Sequence, residues 1–333
     1  MKRNAIIKEI AYYHPDNVVD NEYYINHFKK QNQSIEGLLK VTGRKTRYIA
    51  EDLNETIITM GVEAAKKVLE KAHVKATDLS MIVFASGTPE YISPTNALIV
   101  HALLGAKQKC GVYDINTNCA GMVVALEQIS RSMQGNPDAK YVLQVGADQL
   151  NRFSRYGEAI TYSNFGDSAC AVLLENISNT DRGLIDSDFY TNSSTYDKIL
   201  FPAKGLSNVI RDRSLSTQDK LLQWSDFDFG GAFNSAHISI KDLMFRNNLK
   251  KEDIKRYFIS QFSWGNIEGI CNDLQEDISK FTFIGDEFGY TGTTSPMLAY
   301  ARAVEHNELE VGDNVIFWTL GAGLTCVSLL YKY

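Results

Sequence analysis

The sequence predicts an α/β protein of two similar halves, each a mixed sheet with helices packed on it. Two observations point there. Strand-like and helix-like segments alternate along the whole chain, the pattern of helices layered on sheets. The second half then repeats the coarse element order of the first, the mark of an internal duplication.

In the first half, ETIITMGVEAAKKVLEKAHV (Glu55–Val74) carries apolar residues at helical spacing with its lysines on the opposite face. LSMIVFASG (Leu79–Gly87) and YVLQVGADQ (Tyr141–Gln149) are short apolar runs of the kind that form buried strands. Between them, NALIVHALLGA and the stretch after Cys119, AGMVVALEQISRSMQG, read as helices. In the second half, SAHISIKDLMFRNNL reads as a helix, YFISQFS (Tyr257–Ser263) as a strand and NIEGICNDLQEDI as a helix. SPMLAYARAVEHN adds a further helix, and NVIFWTLGAG with TCVSLLYKY a closing hairpin. YFISQFSWGN echoes MIVFASGTPEY, and VIFWTLGAG echoes VLQVGADQ. The expected halves are 1–175 and 176–333, joined by a polar, loop-like segment near 175–195.

At 333 residues and 44% hydrophobic, the chain can bury a sizeable core. Its net charge of −6 argues against a nucleic-acid partner, since phosphates call for a basic face. No apolar run approaches the ~20 residues of a membrane helix. The basic start MKRNAIIKEIAYYH is cut by Lys8, Glu9 and His14 and lacks a cleavage-site pattern. A soluble cytoplasmic protein without a membrane partner is expected. Five scattered cysteines with no C-x-x-C pair argue against a disulfide framework or a structural zinc site. His14, His27, His73, His101, His237 and His306 show no metal-ligand spacing, so no metal site is expected. GAGLTC (Gly321–Cys326) lies too near the C-terminus to open a βαβ phosphate loop.

Cys119, in YDINTNCAG, alone sits at a strand–helix junction. A thiol at a helix start faces unpaired N–H groups and the positive end of the helix dipole. Both favour thiolate, the nucleophilic form. The same residue also suits a small buried hydrophobe, and its local sequence leaves the two readings open.

Across nearly the whole chain, however, successive segments resemble the thiolase-superfamily condensing enzymes, in particular ketoacyl-acyl-carrier-protein synthase III and its relatives. VYDINTNCAGMVVALEQ is similar to the nucleophile segment of that family, and TGRKTRYIA to its early arginine-rich turn. SMIVFASGTPEYISPTNALIVHALLGA, YVLQVGADQLNR, NFGDSACAVLL, FGYTGTTSP and TLGAGLTCVSLL follow in the family's order. The resemblance implies a thiolase-like layered fold, a dimer, and Cys119 as the acyl-accepting nucleophile. It further implies an oxyanion hole formed by the N–H groups of Cys119 and Ala322.

Two departures stand out. The family pairs its cysteine with a histidine and an asparagine, and here Ser260 and Tyr290 fall at those positions. With Gln261 and Thr291 they are expected to face the pocket as hydrogen-bond donors, but none is a base near neutral pH. The helix bearing His237 corresponds to one lining the family's pantetheine tunnel. Lys45, Arg47 and Arg152 match positions that meet coenzyme A phosphates or an acidic carrier protein. The adenine-clamping tryptophan and arginine are replaced by Gly37 and Val41, which favours a carrier protein as donor.

The expected function is therefore acyl transfer. Cys119 takes an acyl group from a carrier-protein or coenzyme A thioester and passes it to a second substrate, in fatty-acid-like or secondary-metabolite (polyketide) biosynthesis. No permanently bound cofactor is expected. The alternative is a degenerate subunit that pairs with an active, related chain, so a homodimer and a heterodimer both stay open. Hydrolysis of the acyl enzyme ranks last, because no water-activating base is evident.

Overall fold

The computed structural model describes residues 3–228 and 230–333. Nine strands form its two main sheets. β1 (Arg3–Tyr13), β2 (Leu79–Ala85), β3 (Gly111–Ile115), β4 (Tyr141–Gln149) and β5 (Asp167–Ser178) build the first. β6 (Gly183–Thr191), β7 (Ile254–Ile259), β8 (Asn314–Gly321) and β9 (Thr325–Lys332) build the second. The principal helices are α1 (Ile57–Ala72), α2 (Asn96–Leu104), α3 (Gly121–Gly135), α4 (Gly230–Arg246), α5 (Trp264–Leu274) and α6 (Ser295–Glu305).

The first sheet runs β1-β5-β4-β2-β3 and the second β6-β9-β8-β7. In both, the first two neighbouring pairs are antiparallel and the third is parallel. The two sheets thus share order and sense over four strands, with β3 an addition to the first. α3 and α6 pack between the sheets and share one apolar cluster with β1, β5, β8 and β9. α1 and α2 cover the outer face of the first sheet, and α4 and α5 that of the second. The result is the layered α/β arrangement of a thiolase-like fold. Among the described residues no helix is long and apolar enough to cross a membrane.

The strands form where apolar runs allow burial on both faces. Val142, Leu143 and Val145 in β4 and Ile82, Val83 and Phe84 in β2 are wholly buried, as the central strands of a covered sheet must be. Two sequence expectations need correction. The segment near 175–195 is largely strand: β5 continues to Ser178, and Gly183–Thr191 is the edge strand β6, paired with β9. Its aspartates misled because an edge strand tolerates charge; Asp186 and Asp188 are answered by Arg246 on α4. The strand expected over Tyr257–Ser263 ends at Ile259, leaving Ser260–Ser263 in a loop.

One contact fixes the central helix α3. The Met122 N–H donates to Thr293 Oγ1 at 2.8 Å, and both partners are wholly buried. Thr293 itself precedes α6, so this bond ties the starts of both central helices together. Thr293→Val preserves shape but strands the Met122 N–H, at an expected cost of about 1–3 kcal/mol. The measurement is the thermal unfolding midpoint of the variant, and an unchanged midpoint would remove this bond from the account.

Candidate active site

The Cys119 turn is held from several sides. Cys119 lies in a single 3₁₀ turn, Asn118–Ala120, directly before α3. Asn118 has φ +52°, a left-handed conformation uncommon outside glycine. Its N–H donates to Asn116 Oδ1 at 2.9 Å, and its Nδ2 donates to the Ala322 carbonyl at 3.5 Å. Gly321 permits this approach: a Cβ there would stand 2.4 Å from the Thr117 carbonyl oxygen. The β8–β9 turn, with Ala322, therefore closes directly onto the residues before Cys119.

Beside the thiol is a cavity of about 130 Å³. Its polar lining includes Thr88, Asn116, Asn118 and Asp148. Its aromatic lining includes Phe165, Trp224, Phe227, Phe262 and Tyr290. No lysine, arginine or histidine lines it among the described residues. Trp224 comes from a two-strand ribbon, Ile199–Leu200 against Gln223–Trp224. Its N–H donates to Glu158 Oε1 at 3.1 Å.

Asp148, at the end of β4, is wholly buried in this lining. Its Oδ1 accepts from Ser86 Oγ (2.9 Å), the Gly87 N–H (2.8 Å) and the Thr88 N–H and hydroxyl (3.2 and 3.1 Å). Its Oδ2 accepts from the Thr293 N–H at 2.9 Å. Burial pushes the Asp148 carboxyl up, and these donors oppose the shift. Burial, then the charge of Asp148, pushes the Cys119 thiol up to about 12; a hydrogen bond from the Tyr290 hydroxyl and the amide of Cys119 work the other way. Near neutral pH the resting sulfur is thus a neutral thiol. This corrects the expectation of a helix-stabilised thiolate. α3 starts two residues later, and the Met122 N–H of its first turn is already spent on Thr293.

Tyr290 stays protonated, its phenol pushed well above the ordinary value by burial and then by Cys119. It is a hydrogen-bond donor here. Ser260 lies behind it: the residue is buried and absent from the cavity lining, and its Oγ has no partner in good geometry while still favouring the Tyr290 phenolate. Gln261 and Thr291 do not face the cavity as expected. Gln261 is spent on the Ile259 and Thr282 carbonyls and the Ile284 N–H, and Thr291 Oγ1 accepts from Thr294.

The structure brings Cys119, Tyr290 and Ala322 together in one lining. None of Lys45, Arg47 and Arg152 belongs to it. Lys45 is exposed and paired with Asp286 at 2.9 Å. Arg152 spends one nitrogen on the Ala50 and Asp52 carbonyls. Arg47 is corrected outright as a phosphate contact. It is wholly buried, donates to the Ser163 carbonyl and Asn21 Oδ1, and stacks on Tyr24 at 4.5 Å. Its neighbour Arg44 is also buried and clasps the Gly285, Gln261 and Phe262 carbonyls, so it secures the loop after β7. His237 lies 3.6 Å from Asp273 on α5, outside the cavity. Sequence reasoning missed Asp148 and Trp224. An acidic residue ending a buried strand and the aromatic run WSDFDF were their visible signals.

Fold and site together define a thiolase-fold protein with a cysteine centre between its two halves. Comparison with known proteins gives the family. The model of 3-oxoacyl-[acyl-carrier-protein] synthase III matches residues 113–193, and the model of its C-terminal part matches 244–333. The β-ketoacyl-[acyl-carrier-protein] synthase III of Clostridium perfringens is 28% identical over 330 residues, covering 99% of both chains. That of Chlorobium phaeobacteroides is 28% identical over 333 residues, again covering 99% of both. The crystal structure of 3-oxoacyl-[acyl-carrier-protein] synthase III from Aquifex aeolicus superposes with a TM-score of 0.86 at 24% identity, covering 99% of this chain and 100% of that one. The chain belongs to the synthase III-like condensing enzymes of the thiolase superfamily.

The raised thiol makes a direct prediction. Iodoacetamide labelling of Cys119, followed by peptide mass to separate it from Cys110, should rise about tenfold per pH unit between about pH 7 and pH 10. Tyr290→Phe, which removes a donor to the sulfur, should slow labelling further. A plateau below about pH 9 would show a thiolate that this burial does not allow.

Proposed function

We propose that Cys119 carries an acyl group, taken from a thioester and passed to a second substrate, and that ordinary decarboxylative condensation is not this chain's reaction. One observation carries the proposal: a half-buried cysteine beside a mainly apolar cavity, with Tyr290 in the same lining. Loading is proton-neutral. The Cys119 sulfur bonds to the acyl carbon, the carbon–sulfur bond of the donor breaks, and the Cys119 proton leaves on the departing thiol. Tyr290 stabilises the negative charge that the sulfur takes on as its proton leaves, before that charge passes to the acyl oxygen. The N–H groups of Cys119 and Ala322 are assigned to the carbonyl oxygen as its negative charge develops.

The missing helpers limit the chemistry. Among the described residues, a charged donor such as a malonyl carboxylate would meet no cation in the cavity lining, and Ser260 and Tyr290 offer no base. The acceptor is therefore an oxygen, nitrogen or already activated carbon nucleophile. The donor's pantetheine arm comes from a carrier protein, because Gly37 and Val41 supply no adenine stack and Arg47 is buried. The acyl thioester is substrate, and the reading calls for no resident cofactor. The pathway is fatty-acid-like or polyketide-like, in the cytoplasm. A dimer completes the reading: β3 is a sheet edge, and Tyr113 on it and Leu98 and Leu103 on the neighbouring α2 are exposed.

A second reading, a degenerate subunit of a heterodimer, has its own support in a thiol held neutral beside a carboxylate, Asp148, whose oxygens already accept five hydrogen bonds. One experiment separates the two. Incubation with acyl carrier protein thioesters should add one acyl mass to the isolated chain and none to Cys119→Ala. No adduct alone, but an adduct with a related histidine-bearing chain, would favour the degenerate subunit. In the same assay Ser260→His with Tyr290→Asn, which restores the family pattern, should gain malonyl decarboxylation by about 10²-fold or more.

A further inference from the structure

We propose that the acyl group held at Cys119 is a short planar one, an aryl or conjugated acyl group, seated against the aromatic wall formed by Trp224, Phe262, Tyr290 and Phe165. This inference rests on the acyl-carrier reading above and specifies its substrate class.

Size comes first. The cavity measures about 130 Å³, and a cavity of roughly 150 Å³ encloses one benzene ring. A six-carbon ring fills such a space, whereas a ten-carbon chain overruns it.

The wall supplies the shape preference. Trp224 and Phe262 lie nearly parallel, 4° apart in plane with centroids 5.3 Å apart. Tyr290 meets Phe262 edge-on at 87° and 5.2 Å. Phe165 sits 5.8 Å from Tyr290 and 6.3 Å from Trp224. Rings in offset and edge-to-face arrangements extend naturally to one more planar group, which gains contacts a flexible chain does not.

The wall is also fixed before any ligand arrives. Trp224 is held through its backbone by Glu158 and by pairing with Ile199. Phe262 is held by the Arg44 guanidinium on its carbonyl at 2.7 Å. Tyr290 is held by its N–H on the Asn164 carbonyl at 2.8 Å. A wall fixed from three different elements selects by shape at little ordering cost. Polar Asn116 and Asn118 precede Cys119 in sequence and line the same cavity, so the end of the cavity nearest the sulfur is its polar end. The free end meets rings.

The test uses benzoyl-, hexanoyl- and decanoyl-pantetheine. Binding to the full-length Cys119→Ala protein is measured by calorimetry, and loading of the unmodified protein by intact mass. Benzoyl should bind more tightly than hexanoyl by about threefold and than decanoyl by about tenfold. Trp224→Leu and Phe262→Leu should each erase the benzoyl advantage over hexanoyl. They are made separately, so that a folding defect in one leaves the other to decide. Hexanoyl or decanoyl binding as well as benzoyl overturns the inference, as does an unchanged preference in both folded variants. If the ranking holds while no thioester ever loads, the aromatic slot stands and the acyl-carrier reading falls. If decanoyl loads ahead of benzoyl, the aromatic slot falls and the acyl-carrier reading stands.

Discussion

The buried Asp148 carboxylate is the contact on which the site depends. Five donated hydrogen bonds from two loops, one after β2 and one before α6, converge on its two oxygens. The second loop delivers Thr293, whose hydroxyl oxygen in turn receives the Met122 N–H of α3. One carboxylate thus sets where the first half ends its strands, where α3 begins, and where Tyr290 stands relative to Cys119. A charge costs much to bury, and only such a density of donors makes the burial tolerable.

That arrangement has a chemical consequence for the thiol. The same charge that organises the loops opposes a second negative charge on the neighbouring sulfur, and burial adds to the opposition. Tyr290 partly offsets both by donating to the sulfur. A catalytic cysteine kept neutral at rest is not a contradiction when the reaction hands the proton to the departing thiol. It does make the bound thioester, rather than the resting protein, the state in which the sulfur becomes reactive.

Much of the fold was legible because burial dictates residue type. LSMIVFA and YVLQVGADQ are apolar enough to allow only a covered strand, and they became β2 and β4. Gly183–Thr191 was illegible for the converse reason: its aspartates are answered from α4, a partner distant in sequence. The arginines show the same limit. Lys45 sits in a bend and Arg47 two residues on in the short strand Thr46–Tyr48, yet one is exposed and the other wholly buried. Where the chain bends as well as extends, alternation alone does not assign each side chain to a face, and no local pattern marks which face is the interior.

By itself the sequence determined the layered α/β plan, the place of Cys119 at a strand–helix junction, and the replacement of two expected helpers by Ser260 and Tyr290. These depend on residue identity and spacing, which are local. Only the tertiary structure decided that Ser260 stands behind Tyr290, that Asp148 faces the thiol, and that Trp224 joins the cavity wall. Each of those rests on contacts between segments tens to hundreds of residues apart, and a buried charge or ring acts through distance in space, whatever its separation along the chain.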